Sequence, residues 1–309
     1  MHLDKRVAIK IIHNDKDCFD GGLGEIRIHS LIRQHDPEGI RHIVRVVDGF
    51  YSHEHLFIVT ELLNNSLFAH YMHLETLGGH ARAEFYNAAT LGTLSAQMLD
   101  ALDFLQGIGV THGDVKSANI CIVDSATKLF KLIDFGSASL GFDVQVSYMQ
   151  SRWYRAPEVI LGFEHDPKID VWSLGCLLAE LALGFCPFQY PSCELVLGAQ
   201  MAACGPFPSW MLTASPLAEM FFSSAGYVYE VDPPTLTAGV YLLRTTPNSS
   251  LESMLDARAD PVIFGEPLIM LKLFLSSLLT IDPSVRPTAA DAIQHEWLAP
   301  YRQLLPHAA

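Results

Sequence analysis

Six polar residues of this 309-residue chain stand in an order and setting that suit the chemistry of a phosphoryl group. Phosphoryl transfer asks little covalent chemistry of a protein. It needs a cation on the phosphates, carboxylate and amide oxygens for Mg²⁺, and a carboxylate near the attacking hydroxyl. Lys10 ends the run Val7-Ala8-Ile9-Lys10, a cation on an otherwise apolar strand, and Glu25 lies on the helix expected next, where it can pair with that ammonium. The segment His112 to Asn119 places Asp114, Lys116 and Asn119 on one loop leading into a short strand. Ile133-Asp134-Phe135-Gly136 closes a further strand with a carboxylate, an aromatic and a flexible glycine, which suits a Mg²⁺-binding aspartate on a hinge. Taken one at a time, these segments also read as ordinary structure: a solvated lysine at a strand edge, and a polar turn between a helix and a strand.

The elements that must position these groups follow from periodicity. Arg6 to Ile12 is β-branched and strand-like, and Gly24 to Gln34 carries Ile26, Ile28, Leu31 and Ile32 at mixed helical spacing. The run Gly21-Gly22-Leu23-Gly24 reads as the approach to that helix. Strands over Ile43 to Phe50 and Leu56 to Leu63 flank a polar turn at Ser52 to His55, which predicts a hairpin. The pair His53 and His55 beside Glu54 reads as the tip of that hairpin, with no metal ligand assigned to it. Leu91, Leu94, Met98, Leu102 and Leu105 share one helical face that stops at Gly107 and Gly109, and a mainly helical region begins there. Short apolar runs at Ile120 to Val123 and Leu129 to Ile133 interrupt it. Helices are predicted near Asp170 to Leu183, Pro191 to Ala203, Leu268 to Leu279 and Ala289 to Glu296, and residues Ser223 to Asp260 read as a long surface insertion.

Composition narrows the class. Half of the residues are hydrophobic, enough for one large domain or two lobes. The richest apolar stretch, Cys176 to Phe188, is broken by Glu180 and Gly184 and falls short of the roughly 18 to 20 residues of a membrane span. A net charge of −14 opposes attraction to nucleic acid phosphates and anionic lipid. The six cysteines lack the paired spacing of a disulfide framework or a zinc site, and no secretory signal is visible, so an intracellular setting in cytoplasm or nucleus is expected.

The ordered segments above, completed by Ala156-Pro157-Glu158, by Asp170-Val171-Trp172-Ser173-Leu174-Gly175 and by Arg286, resemble the signature motifs of the eukaryotic protein kinases over almost the whole chain. Tyr148-Met149-Gln150-Ser151-Arg152-Trp153-Tyr154-Arg155 and Ser137 after the Asp134 motif are similar to the CMGC group, in particular the dual-specificity tyrosine-regulated and homeodomain-interacting kinases. The resemblance implies an α+β, two-lobed kinase fold, with a reduced sheet lobe over residues 1–63 and a helical lobe over 64–309. It implies Mg²⁺-ATP between the lobes and γ-phosphoryl transfer to Ser or Thr of protein substrates, with Tyr148 as a site of self-phosphorylation. The implied roles are Asp114 at the substrate hydroxyl, Lys116 on the transferring charge, Asn119 and Asp134 on Mg²⁺, and Lys10, fixed by Glu25, on the phosphates. Ala8 and Cys121 would sandwich the adenine, with Glu61 and Leu63 beside it. Arg152 and Arg155 would hold a phosphate on Tyr148, while Glu158, Asp170 and Arg286 are structural, the first and last as a buried ion pair.

The departures from the family pattern are specific. Only nine residues precede Lys10, so the two strands and glycine-rich loop that roof the nucleotide are expected to be missing, through a shortened protein or a misplaced start. Gly113 replaces an arginine that many kinases use to clamp a loop phosphate. Ala118 replaces a family glutamate, which argues against a requirement for arginine in substrates. His29 occupies a normally apolar place one turn after Glu25, and Thr60 stands where the family carries phenylalanine, which should open a back pocket. Two rival functions stay open at this level: a scaffold that binds partners without efficient catalysis, and a phosphotransferase for small molecules. Oligomeric state is not legible.

Overall fold

A computed structural model of the chain describes residues 6–141, 149–231, 240–242, 249–259, 264–265 and 267–305. It has two lobes of unequal size. The smaller is a three-stranded antiparallel sheet of β1 (Val7–Ile11), β2 (Val46–Ser52) and β3 (His55–Glu61) in the order β1-β3-β2, backed by helix α1 (Lys16–His35). The β2–β3 turn is the predicted hairpin, tightened to His53 and Glu54, both at positive φ (47° and 62°) as a two-residue turn of the mirror-image kind demands. In register, Lys10 faces Ile58 and Ala8 faces Thr60, so the alternation of the strands sends both toward the same side as Ile58.

Helix α1 starts about two turns before the predicted Gly24. Asp15 caps it by accepting from the Cys18 N–H at 2.9 Å, a stronger start signal than three glycines are a stop signal. Those glycines lie inside the helix, and one of them has a packing reason. A Cβ on Gly22 would sit 2.9 Å from Leu56 Cδ2 and 3.1 Å from Ile12 Cγ1, so its absence lets the helix press onto the sheet.

The larger lobe is built on α4 (Ala88–Gly107), which follows α2 (Leu67–Leu77) and α3 (Gly79–Phe85). Its five predicted core residues, four leucines and Met98, are all buried, together with most of its other residues, while Ala89, Asp103 and Gly107 are exposed. After it come β4 (Val110–Thr111), the hairpin of β5 (Ile120–Asp124) and β6 (Leu129–Leu132), and β7 (Ser139–Leu140), which pairs with β4. A short helix α5 (Pro157–Ile160) precedes α6 (Lys168–Leu183), the most deeply buried helix, and further helices span Cys193–Cys204, Leu251–Arg258 and Pro267–Leu278. The region read as a surface insertion is less peripheral than expected: Val228, Leu251 and Leu255 are buried in the main core, and strands Tyr229–Val231 and Val240–Leu242 pair antiparallel. Among the described residues no helix is long and apolar enough to cross a membrane.

The lobes are tied by the segment between α1 and β2. Leu132 of β6 donates to the His42 carbonyl (2.8 Å) and accepts from the Val44 N–H (2.9 Å), while Arg41 pairs with buried Asp100 of α4 at 2.9 Å. The far end of α1 is thus fastened to the helical lobe, and its near end rides on the sheet.

Glu158 and Arg286 form a two-pronged ion pair at 2.5 and 2.8 Å, with side chains 2% and 0% exposed. The remaining guanidinium hydrogens go to the carbonyls of Thr280, Ile281 and Lys168, and Trp172 lies beneath at 5.1 Å. Breaking one half of such a pair strands a charge in the core. Glu158→Leu or Arg286→Leu alone should therefore lower the stability measured by urea unfolding by about 3 to 5 kcal/mol, and the double leucine variant should lose less than either single change.

Candidate active site

Lys10 sits between two carboxylates, 2.8 Å from Glu25 Oε2 and 2.7 Å from Asp134 Oδ1. Strand β1 supplies the lysine, α1 the glutamate, and the turn after β6 the aspartate. Burial pulls the Lys10 ammonium down, but its hydrogen bonds to Asp134 and Glu25 outweigh this and hold it above its ordinary range. Burial likewise opposes charge on Asp134, and the bond and charge of Lys10 overcome it, keeping that carboxyl below the usual range. Asp134 lies at φ 63°, a strained conformation for a residue with a Cβ. The turn sends its carboxylate to Lys10 and the next side chain, Phe135, into the core at 1% exposure.

Phe135 is held edge-on by two histidines, His29 of α1 and His112, each with ring centroids 4.8 Å away. His112 Nδ1 accepts from the Asp114 N–H at 3.2 Å, so Nε2 carries the proton and donates to the Ile133 carbonyl at 3.1 Å. Its backbone N–H and that of Gly113 donate to Asp170 at 2.7 and 2.9 Å. Asp170 is wholly buried at the start of α6, and burial pushes its carboxyl up against the pull of those donors. Gly113 is at φ 74°, and a Cβ there would meet the Ser137 carbonyl oxygen at 2.8 Å and Met149 Cε at 2.9 Å, which explains why no larger residue stands in this place.

The Asp114 carboxylate gathers the other polar groups. One oxygen accepts from Lys116 (2.7 Å) and Asn119 Nδ2 (2.9 Å), and the other from the hydroxyl (2.8 Å) and N–H (3.2 Å) of Ser151. Lys116 also donates to Ser151 Oγ at 2.8 Å. With its amide nitrogen committed to Asp114, Asn119 keeps its amide oxygen as a free acceptor type near Asp134. An amide oxygen beside a carboxylate is the hard donor set that Mg²⁺ prefers.

Ala8, Lys10, Glu25, Asn119, Cys121 and Asp134 line one cleft of about 460 Å³, with Glu61 and Leu63 also on its wall, and Asn119 joins it to the Asp114 group through its hydrogen bond to that carboxylate. The cleft runs past Thr60 to His29, Val44 and Ile58, the deeper space expected of a small residue at that position. A second hollow of about 420 Å³ opens from Asp114 and Ser151 along residues 136–139.

Tyr148 lies outside the described residues. Arg155 is 3% exposed, and its guanidinium donates to the carbonyls of Met149 and Gln150 at 2.8 Å each and faces Cys193. Arg152 bonds the Pro191 carbonyl. Sequence reasoning also passed over Ser151 and Gln150. Gln150, at φ 65° and buried, fastens this segment through Ile169, Ser173 and Ala156. Both stand in the motif before Ala156, and an uncharged polar residue in a buried motif was the available signal.

With this geometry in view, the protein kinase domain family matches residues 2–298. The chain belongs to the protein kinases. It is 32% identical over 292 residues to a probable serine/threonine-protein kinase, dyrk2, of Dictyostelium discoideum, covering 94% of this chain and 30% of that protein. It is 29% identical over 307 residues to dual specificity tyrosine-phosphorylation-regulated kinase 3 of Rattus norvegicus, covering 96% and 50%. Kinase 4 of the same name from Homo sapiens is 29% identical over 300 residues, covering 97% and 54%. The kinase chain thus spans about half or less of the length of these relatives, and its likeness to the dual-specificity branch agrees with the segment from Met149 to Arg155.

His29 gives this kinase a measurable pH signature. Burial, aided by the positive charge of Lys10 and by His112, pushes its imidazole down to about 4 from 6.5. The unfolded chain takes up this proton near pH 6.5 and the folded chain only near 4, so stability falls as pH drops through that window, by about 3 kcal/mol in full. Urea unfolding of the parent and of His29→Leu at pH 7.5 and 4.5 should show the parent losing more stability by about 2 to 3 kcal/mol; equal losses would remove this account.

Proposed function

We propose that this chain transfers the γ-phosphoryl group of Mg²⁺-ATP to serine or threonine hydroxyls of proteins, and to Tyr148 of its own activation segment. The observation that supports the reading is the cleft lined by Lys10, paired with Glu25, by Asp134 and by Asn119, whose amide bonds the Asp114 carboxylate that Lys116 also holds. Lys10, held at a fixed place by Glu25, would bind the phosphate oxygens. Asn119 and Asp134 would hold Mg²⁺, which when bound supplies positive charge to the phosphate oxygens.

The remaining steps belong to the chain's own side chains. Asp114 already accepts a hydrogen bond from an alcohol, Ser151 Oγ, and Lys116 donates to the same oxygen. A substrate hydroxyl entering the hollow beside Asp114 would meet the same carboxylate, which orients it and takes up its proton as the bond to phosphorus forms. Lys116 would offset the negative charge of the transferring group. Ser151 and Asn119, bonded to Asp114 from two sides, fix the carboxylate so that little reorganisation is needed. Ala8 and Cys121 both line the cleft and would enclose the adenine, with the backbone from Glu61 to Leu63 at its edge.

Two measurements test this. Asp114→Asn should lower the phosphorylation rate of a mixed Ser/Thr peptide array about 10² to 10⁴-fold while leaving the unfolding midpoint unchanged; an unaltered rate would remove the assignment of Asp114. In a thermal-shift titration, Mg²⁺-ATP at 100 times its dissociation constant should stabilise the parent by about 2.7 kcal/mol, and Asp134→Ala should abolish the effect of Mg²⁺. Absence of any shift in the parent would favour a scaffold that binds partners without catalysis.

A further inference from the structure

A cavity of about 620 Å³, larger than either hollow described above, shares His29, Val44 and Glu61 with the wall of the nucleotide cleft. It lies between the last two turns of α1, the segment that fastens α1 to the helical lobe, and the ends of the three strands. Ile32, Ile43, Val44 and Val46 make an apolar floor, and the first three are buried. Its volume falls within the range of sites that take a peptide side-chain cluster or small molecule.

The rim is cationic. Arg6, Arg33 and Arg45 border it from three different elements, and among the described residues none of their guanidinium groups has a hydrogen-bond or ion-pair partner. Arg45 folds across the rim over Gly39, where a Cβ would lie 2.7 Å from its Cδ. The two carboxylates that border the cavity are already engaged. Asp36 accepts from the N–H groups of Ile40 and Arg41 at 3.0 Å each, and Glu61 accepts from the Arg45 N–H at 2.8 Å and from Lys131 at 2.5 Å. Three unmatched positive charges therefore surround an apolar floor, on a chain whose net charge is −14. Such convergence is unfavourable for the empty site and favourable for an anion, because like charges repel and guanidinium groups bind carboxylate or phosphate in a forked geometry.

We propose that this cavity is a docking site for an acidic peptide segment that places an apolar side chain on the Ile32–Ile43–Val46 floor and carboxylates on Arg6, Arg33 and Arg45. The fit is one of charge complementarity around an apolar anchor, with the floor supplying affinity and the rim supplying direction. Its wall is the same helix that carries Glu25. The site does not depend on catalysis by the cleft.

The test uses fluorescence anisotropy on the full chain at low salt, with a fluorescein-labelled heptapeptide in which four aspartates alternate with three phenylalanines. Saturable binding is expected, weakened at least tenfold by Arg33→Glu with Arg45→Glu, weakened by added salt, and unchanged by Lys16→Glu at the opposite end of α1 or by saturating Mg²⁺-ATP. Equal binding by the double variant, or no saturation by the parent, would overturn the proposal. So would displacement by Mg²⁺-ATP, which would place the peptide in the nucleotide cleft. A control peptide with serines in place of phenylalanines should bind at least tenfold more weakly, and equal binding would refute the apolar anchor. The double variant must unfold at the parent's urea midpoint; if it does not, Arg33→Gln and Arg45→Gln carry the same comparison without charge reversal.

Discussion

The structure depends on the placement of one ammonium group. Lys10 stands between a carboxylate on α1 and a carboxylate on the turn after β6, and each of the three charges is tolerated in its half-buried setting because the others are there. Glu25 is only 5% exposed, so without Lys10 it would be a buried charge lacking its cation. The sheet, the helix and the turn of Asp134 are therefore fixed relative to one another by electrostatics at a point where apolar packing is thin. The apolar cluster between α1 and the sheet is small, consisting of Ile12, Leu56 and Ile58 with a few flanking side chains.

That arrangement explains why Phe135 and its two histidines matter. The strained backbone at Asp134 directs its carboxylate to Lys10 while the following Phe135 is buried between His29 from α1 and His112 from the loop of Asp114. The same His112 backbone is held by Asp170 at the head of α6. A chain of contacts thus runs from the most deeply buried helix, through the loop of Asp114 and the aromatic ring, to α1 and Lys10. At His29 a neutral imidazole packs on the ring as an apolar side chain would, but introduces a penalty when acid demands its protonation.

The sequence was most informative where a residue type could do only one thing. Lys10 on an apolar strand, Asp134 before Phe135 and Gly136, and the distant partners Glu158 and Arg286 all lie where the motifs imply, because charge in an apolar setting requires a specific partner. Periodicity also located α4 and the β2–β3 hairpin. It failed where local preference and packing disagree. Gly21 to Gly24 disfavour helix, yet the Asp15 cap and the close approach at Gly22 carry α1 through them. Residues 223–260 look polar on average, and only the few apolar positions that enter the core, such as Leu255, reveal that the segment is partly structural. Average polarity cannot identify those few positions.

Arg155 and Ser151 show the same limit at the level of function. An arginine near a tyrosine suggests from sequence only pairing with phosphate, and the guanidinium of Arg155 has a further task, satisfying two carbonyls at the left-handed turn of Gln150. A buried carbonyl without a donor is costly, so the turn requires the arginine and the arginine permits the turn. Ser151 follows directly, and the same turn presents its N–H and hydroxyl to Asp114. The Ser151 segment is therefore locked to the Asp114 carboxylate by backbone geometry and buried hydrogen bonds.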